Sequence, residues 1–164
     1  MMAFYLSKSP LRSHVYTSRM RLSLCRKFSE AVSIAKDGLV YPTVKSSMSN
    51  GAVMMPNTFT MQEIIRISMD EVLDLQDEGK HVETPYVFTI RKGTSVPERL
   101  ILIHEAIARF SLQPSCAMSL KDLNQYLDDF CNHNAHIETA KDWLAMHPFP
   151  KADPDDSYDR WMSR

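Results

Sequence analysis

PYVFTIRKGTSVPERLILIHEAIARFSLQPSCAMSLKDLNQYLDDF, residues 85–130, contains three apolar segments and a capped helix in one unbroken run. Tyr86 to Arg91, Arg99 to His104 and Ala108 to Leu112 are rich in the β-branched and aromatic residues that suit a pleated, half-buried surface, and read as strands. In the first, Tyr86, Phe88 and Ile90 alternate with Val87, Thr89 and Arg91, which sets Arg91 on the second face at the strand end. Gly93 to Pro97 reads as an antiparallel connection to the second strand. Leu100 to Ile103 is apolar on both faces and reads as an interior strand. Glu105 to Ile107 is a short joint. Ser119-x-x-Asp122 then caps a helix whose Leu120, Leu123, Leu127 and Phe130 form one apolar stripe. Sheet followed by helix makes an α+β class, with the rest of the chain covering the faces of the sheet.

Upstream, Thr60-x-x-Glu63 has the pattern of a capping box. Met61, Ile64, Ile65, Met69, Val72 and Leu75 follow it at helical spacing, and Gly79 stops the run. The methionines are core filler there. Before that helix, Asp37-Gly38 is a turn signal, with Gly supplying a positive φ, and Leu39 to Tyr41 reads as a strand. Thr43 to Gly51 is a polar loop able to approach a ligand. Ala52 to Met55 is an apolar run broken by Pro56-Asn57. Downstream, Thr139 to Met146 reads as a short helix carrying Trp143 and ending at His147 before Pro148. Phe149, Tyr158 and Trp161 in the acidic tail are expected to lie across the body.

With 164 residues, 44% of them apolar and 24% charged, one globular domain is the expectation. No apolar run approaches the roughly 20 residues that span a bilayer, so membrane insertion is not expected. Cys25, Cys116 and Cys131 are an odd set without metal-ligand spacing, which points to a reducing, intracellular compartment. Six of the 19 Lys and Arg lie within residues 1–29, while all 20 Asp and Glu follow, leaving a body of net charge −7. An acidic body argues against nucleic acid as partner. The leader 1–29 is Arg-rich, Ser-rich and acid-free, the composition of a mitochondrial presequence, with Arg26-Lys27-Phe28-Ser29 resembling a processing site. The same residues read equally as a basic first helix or strand of the domain. The organisation expected is therefore a leader at 1–29 and a domain at 30–164, located in the cytoplasm, or in the mitochondrial matrix if the leader is a presequence.

Nucleotide-loop, nucleophile-elbow and metal motifs are absent. His133 and His136 have a cap or surface role rather than a metal-binding one, and no metal is expected. His104 reads as a buried, satisfied imidazole before a general base. Arg91 and Arg109 at strand ends are suited to a bidentate phosphate contact or to an ion pair.

One ordered set of residues goes further: Asp37-Gly38-Leu39 with Pro42, Ser49-Asn50-Gly51, Gly93-Thr94-x-x-Pro97-x-x-Leu100, then Arg109-Phe110-Ser111-Leu112-x-Pro114 with Met118. This set resembles the NAD-dependent toxins delivered by type VI secretion, and more closely their fungal relatives. The likeness covers about residues 37–130 and extends through Trp143, His147-Pro148-Phe149 and the Tyr158-x-x-Trp161 tail. It implies an ADP-ribosyltransferase-like fold, a split antiparallel sheet with helices on its faces. It also implies NAD as cofactor, held between the Ser49 to Gly51 loop and the Arg109 to Gln113 strand. By the same resemblance Ser49, Asn50 and Gln113 are the catalytic candidates, and Asp37, Gly38, Gly51, Asn57 and Arg109 the NAD-binding ones.

The chain departs from the family pattern in three places. Ala52 and Val53 stand where hydroxyl residues follow the loop glycine, so Ser47, Ser49 or Asn50 must substitute. Tyr16-Thr17-Ser18 precedes Arg19 where such transferases present an arginine on the first strand. Neither Glu105, in the joint, nor Gln113, after the last strand, is an unambiguous catalytic carboxylate. The function expected is an NAD-dependent ADP-ribosyltransferase-like toxin enzyme, or NAD glycohydrolase, acting on an intracellular target. The alternative is a catalytically degenerate copy serving as a binding or structural module. A protein target or immunity factor is the expected partner, and the chain is expected to be a monomer.

Overall fold

A computed structural model describes residues 2–6, 32–43, 50–82, 84–106 and 108–153. Eleven elements follow in chain order: β1 (Met2–Leu6), β2 (Leu39–Val40), β3 (Ala52–Pro56), α1 (Phe59–Asp77), β4 (Tyr86–Ile90), β5 (Leu100–Ala106), β6 (Arg109–Pro114), β7 (Met118–Ser119), α2 (Leu120–Asn134), β8 (Ala135–Thr139) and α3 (Ala140–Met146). The class is α+β, with antiparallel pairing between all of these strands. Six strands form one sheet in the order β5-β6-β3-β1-β4-β8, and β2 pairs with β7 in a second, two-stranded sheet. The halves β5-β6-β3 and β1-β4-β8 meet through only two residue pairs, Met2 with Pro56 and Ala3 with Met55, whereas β1 and β4 share five.

The side-chain alternation of the strands sends apolar groups to both faces. On one face Ala52, Met54, Leu112, Phe88 and Ile90 pack against Leu123, Leu127 and Phe130 of α2. On the other, Met55 and Val87 pack against Met61 and Ile65 of α1 and against Trp143 of α3. Trp143 is fully buried, and its indole N–H donates to Thr89 Oγ1 at 2.9 Å, so the polar edge of the ring is satisfied inside the core.

Ser119 caps α2 as the sequence predicts, and Thr139, read as the first residue of its helix, is the cap of α3; each accepts from the amide three residues on, at 3.1 Å. Gly79 (φ 76°) ends α1, as its position predicts. The start of α1 differs from expectation. Thr58, not Thr60, is the N-cap, accepting from the Met61 amide, and the Thr60 hydroxyl donates instead to Asp153 at 3.0 Å. Two threonines separated by one residue are both able to cap, and the buried one, at 2% exposure, wins the position.

Strand neighbours correct the sequence reading more deeply. The β4 and β5 strands do not pair; three strands separate them. The expected interior strand β5 is an edge, and its Ile101 and Leu102 are 44% and 38% exposed. The position beside β4 is occupied by β1, a partner 80 or more residues away in sequence. Glu105 lies within β5 rather than in a joint, at a register shift between His104 and Ala106. Gln113 is inside β6, not after it. Residues 135–139, in which the sequence showed no strand, form β8, which pairs with β4 over five residues.

The division of the chain at residue 29 crosses this sheet, because β1 joins its two halves. Residues 7–31 and the tail aromatics Tyr158 and Trp161 lie outside the described residues. A chain beginning at Ser29 should lack cooperative thermal unfolding by circular dichroism, while the full chain melts in one transition. Equal melting of the two would contradict the central position of β1.

Candidate active site

Gln113, Asn50 and Asp37 all bond within three consecutive positions, Tyr41-Pro42-Thr43, at and after the end of β2. Gln113, fully buried in β6, grips Thr43 at both backbone groups: its Oε1 accepts from the Thr43 amide at 2.8 Å, and its Nε2 donates to the Thr43 carbonyl at 2.9 Å. This is the hydrogen-bond pattern of a strand neighbour, supplied by a side chain. The same Nε2 reaches Ser111 Oγ at 2.7 Å and Glu105 Oε1 at 3.2 Å. Glu105 Oε2 in turn meets Arg109 Nε at 2.9 Å, with side-chain exposures of 4% for the carboxylate and 21% for the guanidinium. A carboxylate so far removed from water is held there by its cation and its amide donor.

Asn50, 6% exposed, serves the other end of the segment. Its Nδ2 donates to the Tyr41 carbonyl and its Oδ1 accepts from the Ser33 amide, both at 2.8 Å. Gly51 brings the chain directly against β6: a Cβ there would collide with the Leu112 carbonyl. A ligand therefore has no room between Gly51 and the Leu112–Gln113 backbone. At its last residue the loop is thus a packed neighbour of the strand in one sheet, joined at Ala52–Leu112.

Asp37 and Gly38 form a turn closed on itself, Gly38 with φ +83°. The Tyr41 hydroxyl donates to Asp37 Oδ2 at 2.6 Å and the Leu39 amide to Oδ1 at 3.0 Å. The tyrosine bond first, and the amide second, hold the Asp37 carboxyl below the usual carboxylate range; the same bond raises Tyr41. Asn57 belongs elsewhere. Its Oδ1 accepts from the buried Gln62 at 2.9 Å and its carbonyl from Lys151, so it ties β3 to α1 and to the chain's last described residues. Ser49 and Ser47 lie outside the described residues.

Burial pushes the Cys131 thiol up to about 12, which removes it as a thiolate nucleophile. His104 is exposed, not buried as expected, and stacks on Phe110 with centroids 4.5 Å apart. Among the described residues no cluster of His, Cys, Asp or Glu is suited to a metal ion, and no helix is long and apolar enough to cross a membrane.

The family model for the Tse2 ADP-ribosyltransferase toxins matches residues 5–143, from inside β1 to Trp143 of α3. The chain belongs to the Tse2 ADP-ribosyltransferase toxin family. No curated protein and no solved structure matches it. Membership of the Tse2 family implies NAD as substrate. Within this Tse2-family chain Gln113 and Asn50 both bond the Tyr41–Thr43 segment, Gly51 packs on the Leu112–Gln113 backbone, and Arg109 joins through Glu105, which Gln113 also contacts. The geometry adds Glu105, which sequence reasoning considered and set aside, and Ser111 and Thr43, to which it gave no site role. Glu105 was hidden by the bulge: an acidic residue after an apolar strand reads as the strand's end, and nothing local reveals the cation four residues on as its partner.

Two measurements check these contacts. Gln113→Glu should destabilise the fold at pH 7 by about 1–3 kcal/mol, since the new carboxylate faces Glu105 and loses its donated bonds. Its folded pKa is then raised, so the lost stability should return as the pH falls; denaturant titrations at pH 5 and 7.5 read this. In Tyr41→Phe the Asp37 titration midpoint, followed by NMR, should move up. The stabilisation Asp37 draws from the bond in the parent protein is present at neutral pH and is lost as pH falls through its lowered pKa.

Proposed function

We propose that the chain is an NAD-consuming toxin of ADP-ribosyltransferase-like fold and activity, transferring ADP-ribose to an intracellular macromolecule or to water. The observation that carries this reading is the buried Glu105 carboxylate, fixed between Arg109 and Gln113 on a polar face of β5 and β6. The donor set has the chemistry such a substrate needs: an anion, a guanidinium and a hydroxyl side by side, in a segment otherwise apolar. The strand order, with its two halves meeting at only two residue pairs, supports the split sheet of such transferases.

Cleavage of the nicotinamide bond of NAD develops positive charge on the ribose. Glu105 would supply the opposing negative charge, and Arg109, paired with it at 2.9 Å, holds that carboxylate in place beside the reacting ribose. Gln113 orients Glu105 and, with Asn50, fixes Tyr41–Thr43 as the wall of the site. Asn50 and Gln113 are thus positioning residues in this reading, because their polar atoms are engaged within the protein. Asp37 and Gly38 shape the adjoining turn. A protein target or an immunity factor acting on a monomer is the partner proposed, and the Tyr158-x-x-Trp161 pattern supports a fungal branch of the family. Residues 2–6 stay with the domain on this proposal, whether it acts in the cytoplasm or in the mitochondrial matrix.

A second reading, a degenerate copy kept as a binding or structural module, draws on the same internal engagement of Asn50 and Gln113. Nicotinamide release separates the two. The purified chain should release nicotinamide from millimolar NAD, NAD should raise its melting temperature by linkage, and induced expression should arrest a sensitive host. Glu105→Gln, of equal shape, should lower release about a hundredfold or more with the fold retained. Full release by that variant would remove Glu105 from the chemistry. A melting shift without release, and without a growth defect, would favour the degenerate reading.

A further inference from the structure

A cavity of about 490 Å³ lies on the α2 face of the sheet, the face opposite Glu105, Ser111 and Gln113. Its floor is Met54, Leu102, Phe110 and Leu112, from three adjacent strands, and Ile90, Val96 and Phe130 close it from the other sides. Among the described residues its charged lining is of one sign: Arg91, Lys92 and Lys151. In a body of net charge −7 beyond residue 29, three cations around one apolar cavity make a local field that favours an anion.

The cations are held by ordered backbone. Arg91 and Lys92 enter a turn in which the Thr94 amide and hydroxyl both bond the Arg91 carbonyl, at 3.2 and 2.8 Å, and Gly93 takes φ +89°. Lys151 is fixed through both of its backbone groups: its amide donates to the Asn57 carbonyl at 3.0 Å, and its carbonyl accepts from the Phe59 amide at 3.2 Å. Asp153 anchors the same segment to the start of α1. Its partial burial, which alone would raise its pKa, is outweighed by bonds from Thr58 and Thr60 that hold it below the usual range.

We propose that this cavity is a binding site for a small amphiphilic acid, a carboxylate on an aliphatic or aromatic body. The apolar body fills the space over Phe110 and Phe130, and the carboxylate meets Arg91, Lys92 and Lys151. The volume lies within the roughly 300–1,000 Å³ of small-molecule sites, and an apolar interior with like charges at its margin matches a molecule with one charged end. Arg91 was read from sequence as a phosphate or ion-pair residue; the cavity gives it an anionic partner from outside the protein. The site shares β6 with the Glu105 cluster but uses the alternate side chains of that strand, so it stands or falls independently of NAD chemistry.

Calorimetry of the full chain with decanoate, and with decan-1-ol as the uncharged control, tests the proposal. Decanoate should bind saturably at one site, with chemical-shift changes at Phe110 and Phe130, and decan-1-ol at least about tenfold more weakly, the equivalent of some 1.4 kcal/mol. The double variant Arg91→Glu, Lys92→Glu should weaken decanoate by a similar factor without lowering the melting temperature, and Leu102→Trp should block it. Absence of saturable binding, equal affinity for the alcohol, or shift changes away from both phenylalanines would overturn it. So would contacts between Trp161 and Phe130 in the ligand-free chain, which would assign the cavity to the protein's own acidic, aromatic C-terminal residues.

Discussion

From Ser111 to Pro114 strand β6 is buried on both faces, and that constraint reaches into every other part of the molecule. Its period of two sends Leu112 into the core beneath α2 and Ser111 and Gln113 to the opposite side. A two-sided buried strand must have a partner on each edge and a cover on each face. The edges are taken by β5 and β3. The α2 side is covered by an apolar helix stripe. The other side carries polar groups, and each of them needs a hydrogen-bond partner once water is excluded.

That need explains the form of the candidate site. Gln113 satisfies itself on Thr43, Ser111 and Glu105; Glu105 is satisfied by Arg109 as well. Removing one member leaves the others buried without partners, so the cluster is expected to behave as a unit under mutation, and single substitutions to overstate individual contributions. It also makes the site rigid. The Tyr41–Thr43 segment, irregular in structure, is gripped at one end by Asn50 and at the other by Gln113, and Gly51 lets the following strand lie flush with β6. Groups held this way are pre-organised, with rotamers fixed by their partners.

Local signals were legible wherever their physical cause is local. The helix cap at Ser119, the stop at Gly79, the turn at Asp37-Gly38 and the stripes of α1 and α2 depend on residues within one or two turns of each other. Thr58 against Thr60 shows the limit: both satisfy the same rule, and burial against the sheet selects between them. The site was legible in part. Gln113, Arg109, Asn50 and Gly51 were named from a family likeness; Gln113 and Asn50 both bond the Tyr41–Thr43 segment, and Gly51 packs on the Gln113 backbone. Glu105 was seen and set aside.

The sequence by itself determined the three helices, strands β2, β4, β5 and β6, the α+β class and the family likeness, because periodicity, capping and turn chemistry act over a few residues; β1, β7 and β8 were not read as strands. Only the tertiary structure decided which strands are neighbours. An apolar run such as Leu100 to Ile103 reads the same at an edge as in the middle of a sheet, and the partner of β4 proved to be β1 from the far end of the chain. Tertiary structure likewise decided that Glu105, Arg109 and Gln113 are one cluster, since a bulge and a hairpin set that contact. The apolar cavity with its three cations depends on the same long-range assembly: Arg91 and Lys151 are 60 residues apart in sequence and meet only when β3 and β4 are folded against a common strand.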